Sequence, residues 1–229
     1  MIRLMTLAAA CLILAACTTT NVKSAAGLPT APPQNAKVLV SQPDIELSVL
    51  TASGITEPRA DWTASAKTYM QSAVQTELQG RAHKFTVLDP STAMEGREGQ
   101  VIRLNGEVGK SILVFNYGVL PLPTKAGGFD WTLGEGAQLL ATKYDADYAL
   151  FVYGRGSYSS GARVAMMIGA AALGVGLPTG GQQVFASLVD LKTGKVVWFN
   201  VSQAAPGTDM RTPEGATLLT KSLLKGIPL

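Results

Sequence analysis

The side chains able to do chemistry in this 229-residue chain are few and poorly spaced for it. There is one histidine, His83, and there are two cysteines, Cys11 and Cys17. A tetrahedral zinc site needs several Cys, His or acidic ligands together, and His83 stands between Arg81 and Lys84 with no such cluster around it. A Ser-His-Asp triad would have to recruit His83 as its base, and no G-x-S-x-G elbow is present. His83 therefore reads as a turn residue at a helix–strand corner. Gly106-Glu-Val-Gly-Lys-Ser111 has the residue types of a phosphate loop, but two residues separate its glycines where a Walker loop has four. Gly169, Gly174 and Gly176 miss the dinucleotide fingerprint in spacing. The remaining carboxylates, Asp130 near Glu135 and Asp145 near Asp147, fall where capping and turn roles account for them, and nothing points to a glycosidase pair. No cofactor, metal or nucleotide is expected.

Cys17 is different because of what precedes it. Arg3 is followed by an apolar run from Leu4 to Ala16. That run has the length of a signal-peptide core and is too short to span a bilayer as a helix. It ends in Leu14-Ala15-Ala16-Cys17, which resembles the lipobox of bacterial lipoproteins. The resemblance implies a diacylglyceryl thioether on Cys17, cleavage before it and acylation of the new amino terminus. The alternative is an ordinary secretory signal cut after Ala16. Each buried CH₂ contributes roughly 0.8 kcal/mol, so two or three acyl chains make a stable anchor. Cys11 leaves with the signal, so the mature chain has no partner for a disulfide, and lipidation removes the liability of a lone thiol in an oxidising space. Aspartate after the cysteine favours inner-membrane retention in the lipoproteins resembled. Thr18 at that position therefore implies the outer membrane, on its periplasmic face.

The charge balance is mild, with 19 basic against 16 acidic residues. Removing Arg3 with the signal leaves 18 against 16, or +2. With no Lys/Arg cluster, nucleic acid is excluded as a partner. Thr18–Ala36 is rich in Thr, Ala and Pro without apolar periodicity and reads as a disordered tether. As a flexible coil it would hold the domain roughly 25 Å from the membrane. The resulting organisation is a signal peptide over 1–16, a lipidated flexible tether over 17–36 and a single periplasmic domain over 37–229.

Within that domain, Lys37–Ser41 reads as a strand, continued past Pro43 by the alternating Ile45, Leu47 and Val49. Trp62, Ala66, Tyr69, Met70, Ala73, Val74 and Leu78 follow helical spacing up to a stop at Gly80. Lys84–Leu88 is a second strand. Val101, Leu104, Val108, Ile112 and Phe115 predict a helix that Gly106 and Gly109 weaken. Residues 116–130 form an irregular loop. Thr132 and Glu135 then match a capping box for a helix carrying Ala137, Leu140 and Tyr144 inward. Tyr148–Tyr153 is apolar enough for a central strand. Gln182–Asp190 and Val196–Ser202 read as a hairpin turning at Lys192–Lys195. Thr212-Pro213-Glu214 opens a last helix with Leu218, Leu219 and Leu223 on its apolar face. The order β-α-β-α-α-β-α-β-β-α predicts an α/β (α+β) fold, one mixed sheet with helices packed on it. Tyr148, Tyr153, Tyr158, Phe185, Trp198 and Phe199 gather on its strands, most of them as core and some as a candidate exposed aromatic patch.

Three phrases carry a resemblance: FTVLDP (85–90), LATKYDADYALFVYGRG (140–156) and FASLVDLKTGKVVWFN (185–200). Together they resemble the fold group of the curli-secretion lipoprotein's periplasmic domain, the TolB amino-terminal domain and the lipoprotein activators of penicillin-binding proteins. The resemblance covers roughly residues 37–203 and implies no catalytic residues. The chain departs from that group in residues 91–130 and in the apolar segment 164–177, which points to a separate lipoprotein family on the same fold.

Val164–Leu177 is Ala/Gly/Met-rich and too short to span a bilayer. Ala165/Gly169, Ala170/Gly174 and Ala172/Gly176 are small-xxx-small pairs that permit close helix approach. Three readings stay open for it: a helix buried within the domain, an interface with a partner or a second copy, and contact with a bilayer. For the whole protein the leading expectation is a non-enzymatic, lipid-anchored envelope component. It would act in assembly, transport or regulation by binding other envelope proteins or itself. A pore or secretion subunit with a membrane-contacting segment is the alternative, although no long alternating hairpin for a barrel is visible. A carboxylate-based envelope hydrolase is the third.

Overall fold

The computed structural model describes residues 20–24, 32–81, 83–89, 95–118, 120–125, 128–203, 205 and 207–229. The expected signal peptide (1–16), Cys17 and Thr18 lie outside the described residues. One mixed eight-stranded sheet forms the centre. Its strands are β1 (Thr20–Ser24), β2 (Lys37–Ser41), β3 (Asp44–Leu50), β4 (Thr56–Pro58), β5 (Lys84–Leu88), β6 (Tyr148–Ser159), β7 (Gln182–Asp190) and β8 (Val196–Gln203). The order across the sheet is β1-β8-β7-β6-β2-β5. β2 lies parallel to β6 and to β5, while β7, β8 and β1 follow β6 antiparallel. β3 extends the line of β2 beside the second half of β6, pairing Asp44 with Tyr153 through Leu50 with Ser159, and β4 folds back on it.

Among the described residues the helices are α1 (Ala60–Leu78), α2 (Arg97–Ile112), α3 (Gln138–Tyr144), α4 (Gly161–Ala172) and α5 (Pro213–Leu223), and all but α4 bury a face against the sheet. The apolar run of β6 serves two cores at once, because successive strand side chains point to opposite faces. Ala149, Phe151 and Tyr153 join Phe185, Phe199, α2 and α3 on one face. Leu150 and Val152 join Val184, Leu188, Trp198, α1 and α5 on the other. The predicted α/β architecture is therefore the one found.

Four local expectations change. Thr20–Ser24, inside the stretch read as tether, is a strand pairing with β8 from Thr20–Ser202 to Ser24–Trp198. The capping box does not form: α3 begins at Gln138 after a 3₁₀ turn and has no side-chain cap. Thr132 instead accepts from Gly134 N at 2.9 Å and donates to Gly194 O at 3.1 Å, tying this segment to the β7–β8 turn. Gly194 has φ 72°, and a Cβ there would strike the Gly134 carbonyl, so the contact requires glycine. α2 exists, with Val101 and Ile112 buried and Val108 and Phe115 packed on the same core as predicted, but Leu104 is exposed and Ile102, Asn105, Gly106 and Gly109 face inward beside them. Gly106 and Gly109, read as weak points, are where the helix backbone meets the Tyr153 and Phe185 rings. Finally, β6 runs on to Ser159, past the predicted end at Tyr153.

Candidate interaction surface

The extra length of β6 decides the environment of α4. The strand stays paired with β3 up to Ser159, so α4 begins only at the end of the sheet. Ser160 caps the helix by accepting from Arg163 N at 3.1 Å, and the chain turns out of it at Gly174, φ 77°. Arg163 is the one buried residue of the helix; it donates to Ala52 O at 3.3 Å and Pro178 O at 3.0 Å. Most of its apolar side chains face outward: Val164, Met166 and Val175 are exposed, as are Ile168 (68 %) and Leu173 (83 %), while Met167, Ala170 and Leu177 are half-buried. No Asp, Glu, Lys or Arg occurs from Val164 to Gly181. The reading of this segment as a helix buried within the domain is thereby corrected.

Ala165, Gly169, Ala172, Gly174 and Gly176 are exposed and Ala170 half-buried. A Cβ added at Gly169, Gly174 or Gly176 would find open space among the described residues. The residues that permit close approach are therefore on a surface that no other described residue covers.

A second feature, not anticipated from sequence, surrounds Arg155. Its Nη1 donates to Asp44 O at 3.0 Å and Asp44 Oδ1 at 3.2 Å, and its Nε lies 3.1 Å from Glu46 Oε2. The guanidinium covers the Tyr153 ring at 3.9 Å, and the Lys110 ammonium sits 5.4 Å from the same ring. The Glu107 carboxylate, then Tyr153, hold the Lys110 ammonium above its ordinary pKa. These residues line a cleft of about 620 Å³ with Lys67, Arg103 and Gly106. Cations and carboxylates alternate in it, so it suits a polar surface better than an apolar ligand. The sequence signal was Asp44 and Glu46, the polar phase of the strand whose apolar phase is Ile45 and Leu47; pairing Glu46 with Arg155 needs the register.

A third cluster lies on the opposite face of the sheet. Arg211 stacks over Tyr158 at 3.7 Å and lies 4.7 Å from Trp62, which meets Tyr158 edge-on at 5.9 Å. Burial pushes the Tyr158 phenol up, and its hydroxyl donates to Gln182 Oε1 at 2.5 Å. Burial would raise Asp209 as well, but hydrogen bonds from Arg211 override it and hold the carboxyl below its ordinary range.

The other candidates take structural roles. Asp145 adopts the left-handed conformation after α3 and pairs with Lys37, whose backbone N donates to Asp147 Oδ2 at 2.8 Å. Asp130 lies 4.0 Å from Lys195. His83 is half-buried beside Phe85, at 6.5 Å between ring centres. Among the described residues, no group of three or more His, Cys, Asp or Glu could hold a metal ion. Tyr153, Phe185 and Phe199 stack in sequence at 4.8 and 5.1 Å inside the core, and Trp198 is buried on the opposite face.

No protein-family model matches the chain, and no curated protein matches it. Among solved structures it is similar to the PelC dodecamer from Paraburkholderia phytofirmans. That match has 15% identity and a TM-score of 0.42, covering 91% of this chain and 97% of that one. It is also similar to the LpoB C-terminal domain from Salmonella enterica, at 13% identity and a TM-score of 0.30, covering 79% of this chain and 87% of that one.

Proposed function

We propose that this protein is a non-enzymatic, lipid-anchored component of the bacterial outer membrane's periplasmic face. It works in assembly, transport or regulation by binding other envelope proteins or copies of itself. The observation that carries this reading is Leu14-Ala15-Ala16-Cys17 at the end of a signal-length apolar run. Support comes from an uncharged apolar face that no other described residue covers and from a cleft of paired charges suited to a polar surface.

Mass spectrometry of the full protein extracted from membranes tests the anchor. A thioether lipid on an acylated amino-terminal Cys17 is expected. An unmodified Cys17, or cleavage elsewhere, overturns it. The binding role is tested by photocrosslinking from position 155 in intact cells. A defined envelope protein, or a second copy, should be captured, and capture should be lost when Asp44 and Glu46 are both replaced by Ala. A catalytic role would instead show as a cellular phenotype abolished by Asp44→Asn, Glu46→Gln or Glu107→Gln in a protein that still makes its crosslink.

A further inference from the structure

The position of the anchor relative to α4 follows from strand register. Thr20 pairs with Ser202, Ser202 with Val184 and Val184 with Gly154, so Thr20 is level with Gly154 on β6. β1 runs antiparallel to β6, so the chain preceding Thr20 leaves the sheet in the direction in which β6 proceeds to Ser159 and α4. Cys17 precedes Thr20 by three residues, a link of at most about 10 Å when fully extended. From Gly154 to Ser159, β6 advances about 16 Å at strand rise. The anchor therefore ends short of the level at which α4 begins, some three strand spacings, or about 14 Å, to the side. A bilayer that takes up the Cys17 lipid lies at the end of the sheet from which α4 projects.

We infer that α4 and the turn after it lie in the headgroup–acyl boundary of the membrane that holds the anchor. This rests on the proposed lipidation of Cys17. The chemistry of the face suits the location. Ile168 and Leu173 are among the most exposed apolar side chains of the protein, and the segment carries no charge outside the inward-turned Arg163. Among the described residues no helix is long and apolar enough to cross a membrane, so α4 lies on the surface and does not traverse it. Gly169, Gly174 and Gly176 then have a different use from packing: with no side chain, they let the backbone lie close against lipid.

Single cysteines at positions 168, 173 and 192 test this in the full-length protein, since its mature form has no other thiol than Cys17. Lys192 is exposed in the β7–β8 turn at the opposite end of the sheet. Each variant is labelled with an environment-sensitive fluorophore and reconstituted into phosphatidylethanolamine–phosphatidylglycerol vesicles carrying shallow nitroxide lipids. Labels on Ile168→Cys and Leu173→Cys should be blue-shifted and quenched several-fold more than the label on Lys192→Cys. Equal, weak quenching at all three positions in protein that sediments with the vesicles overturns the inference. So does a blue shift without quenching together with disulfide-linked dimers at 168, which would give the face to a second copy. Mass measurement on the same samples keeps the two claims separate. A lipidated chain without quenching removes this inference alone, whereas an unmodified, label-reactive Cys17 removes the anchor and leaves the quenching pattern to decide the helix.

Discussion

Gly109 shows how one absent side chain sets a helix's position. A Cβ at this residue would collide with the Phe185 ring, the middle member of the Tyr153–Phe185–Phe199 stack. Gly109→Val should therefore cost about 1–3 kcal/mol by overpacking, read as a lower melting temperature without loss of helix content. The equivalent change at Gly169 meets open space and should leave the melting temperature unchanged. Asp209 gives a residue-level prediction in pH. Its carboxyl is held below its ordinary pKa by Arg211, so the stability it contributes is present above the unfolded carboxylate pKa, about 4. That contribution is lost as pH falls through the depressed folded value. The melting temperature of Asp209→Asn should accordingly sit below that of the native chain at neutral pH and converge with it in acid. A difference that persists unchanged at the lowest pH would show that the ion pair is not its source.

Among the elements, the periodic ones were legible and the paired ones were not. α1 follows from Ala66, Met70, Ala73 and Val74 at helical spacing, all buried as read. β3 follows from the alternation of Ile45 and Leu47. The face of α2 was legible in Val101, Val108, Ile112 and Phe115 but not in Leu104, because side-chain hydrophobicity gives no weight to glycine, and Gly106 and Gly109 are part of what faces the core. β1 was invisible for a different reason. Val22, Lys23 and Ser24 are exposed and show no apolar alternation, and the strand pairs along its length with β8 through the backbone. The Arg155 cleft and the exposure of α4 likewise depend on register and on where β6 ends, which local pattern does not encode. A chain that begins at Pro32 lacks β1 and leaves β8 as an open edge. It should melt at a lower temperature and associate with increasing concentration, measured by calorimetry and light scattering. If it behaves as the intact protein does, β1 contributes nothing to the edge.

For the molecule as a whole, the polarity of the sheet gives the domain two unlike ends. One carries α4 and the start of β1, and the other carries the β7–β8 turn with Lys192 and Lys195. Surface substitutions away from packing usually stay within about 0.5 kcal/mol. The double change Ile168→Glu, Leu173→Glu should therefore leave thermal stability nearly unchanged in detergent. In vesicles it should reduce fluorophore quenching at position 164, because two carboxylates oppose entry into the boundary region. A large fall in melting temperature in detergent would instead show that both side chains support the fold.

The β1–β8 pairing also has a consequence in time. Thr20 and Ser202 are partners separated by nearly the whole mature chain, and contacts of such long sequence separation close late and slowly. On the proposed reading, in which the chain reaches the periplasm amino terminus first, β1 waits unpaired until β8 has emerged. Cys17, three residues ahead of it, would meanwhile be accessible to the enzymes that the proposal requires to cut and acylate it. The proposed modification would then come first and docking second, so closing the sheet edge would draw a tethered domain toward the membrane as a last step.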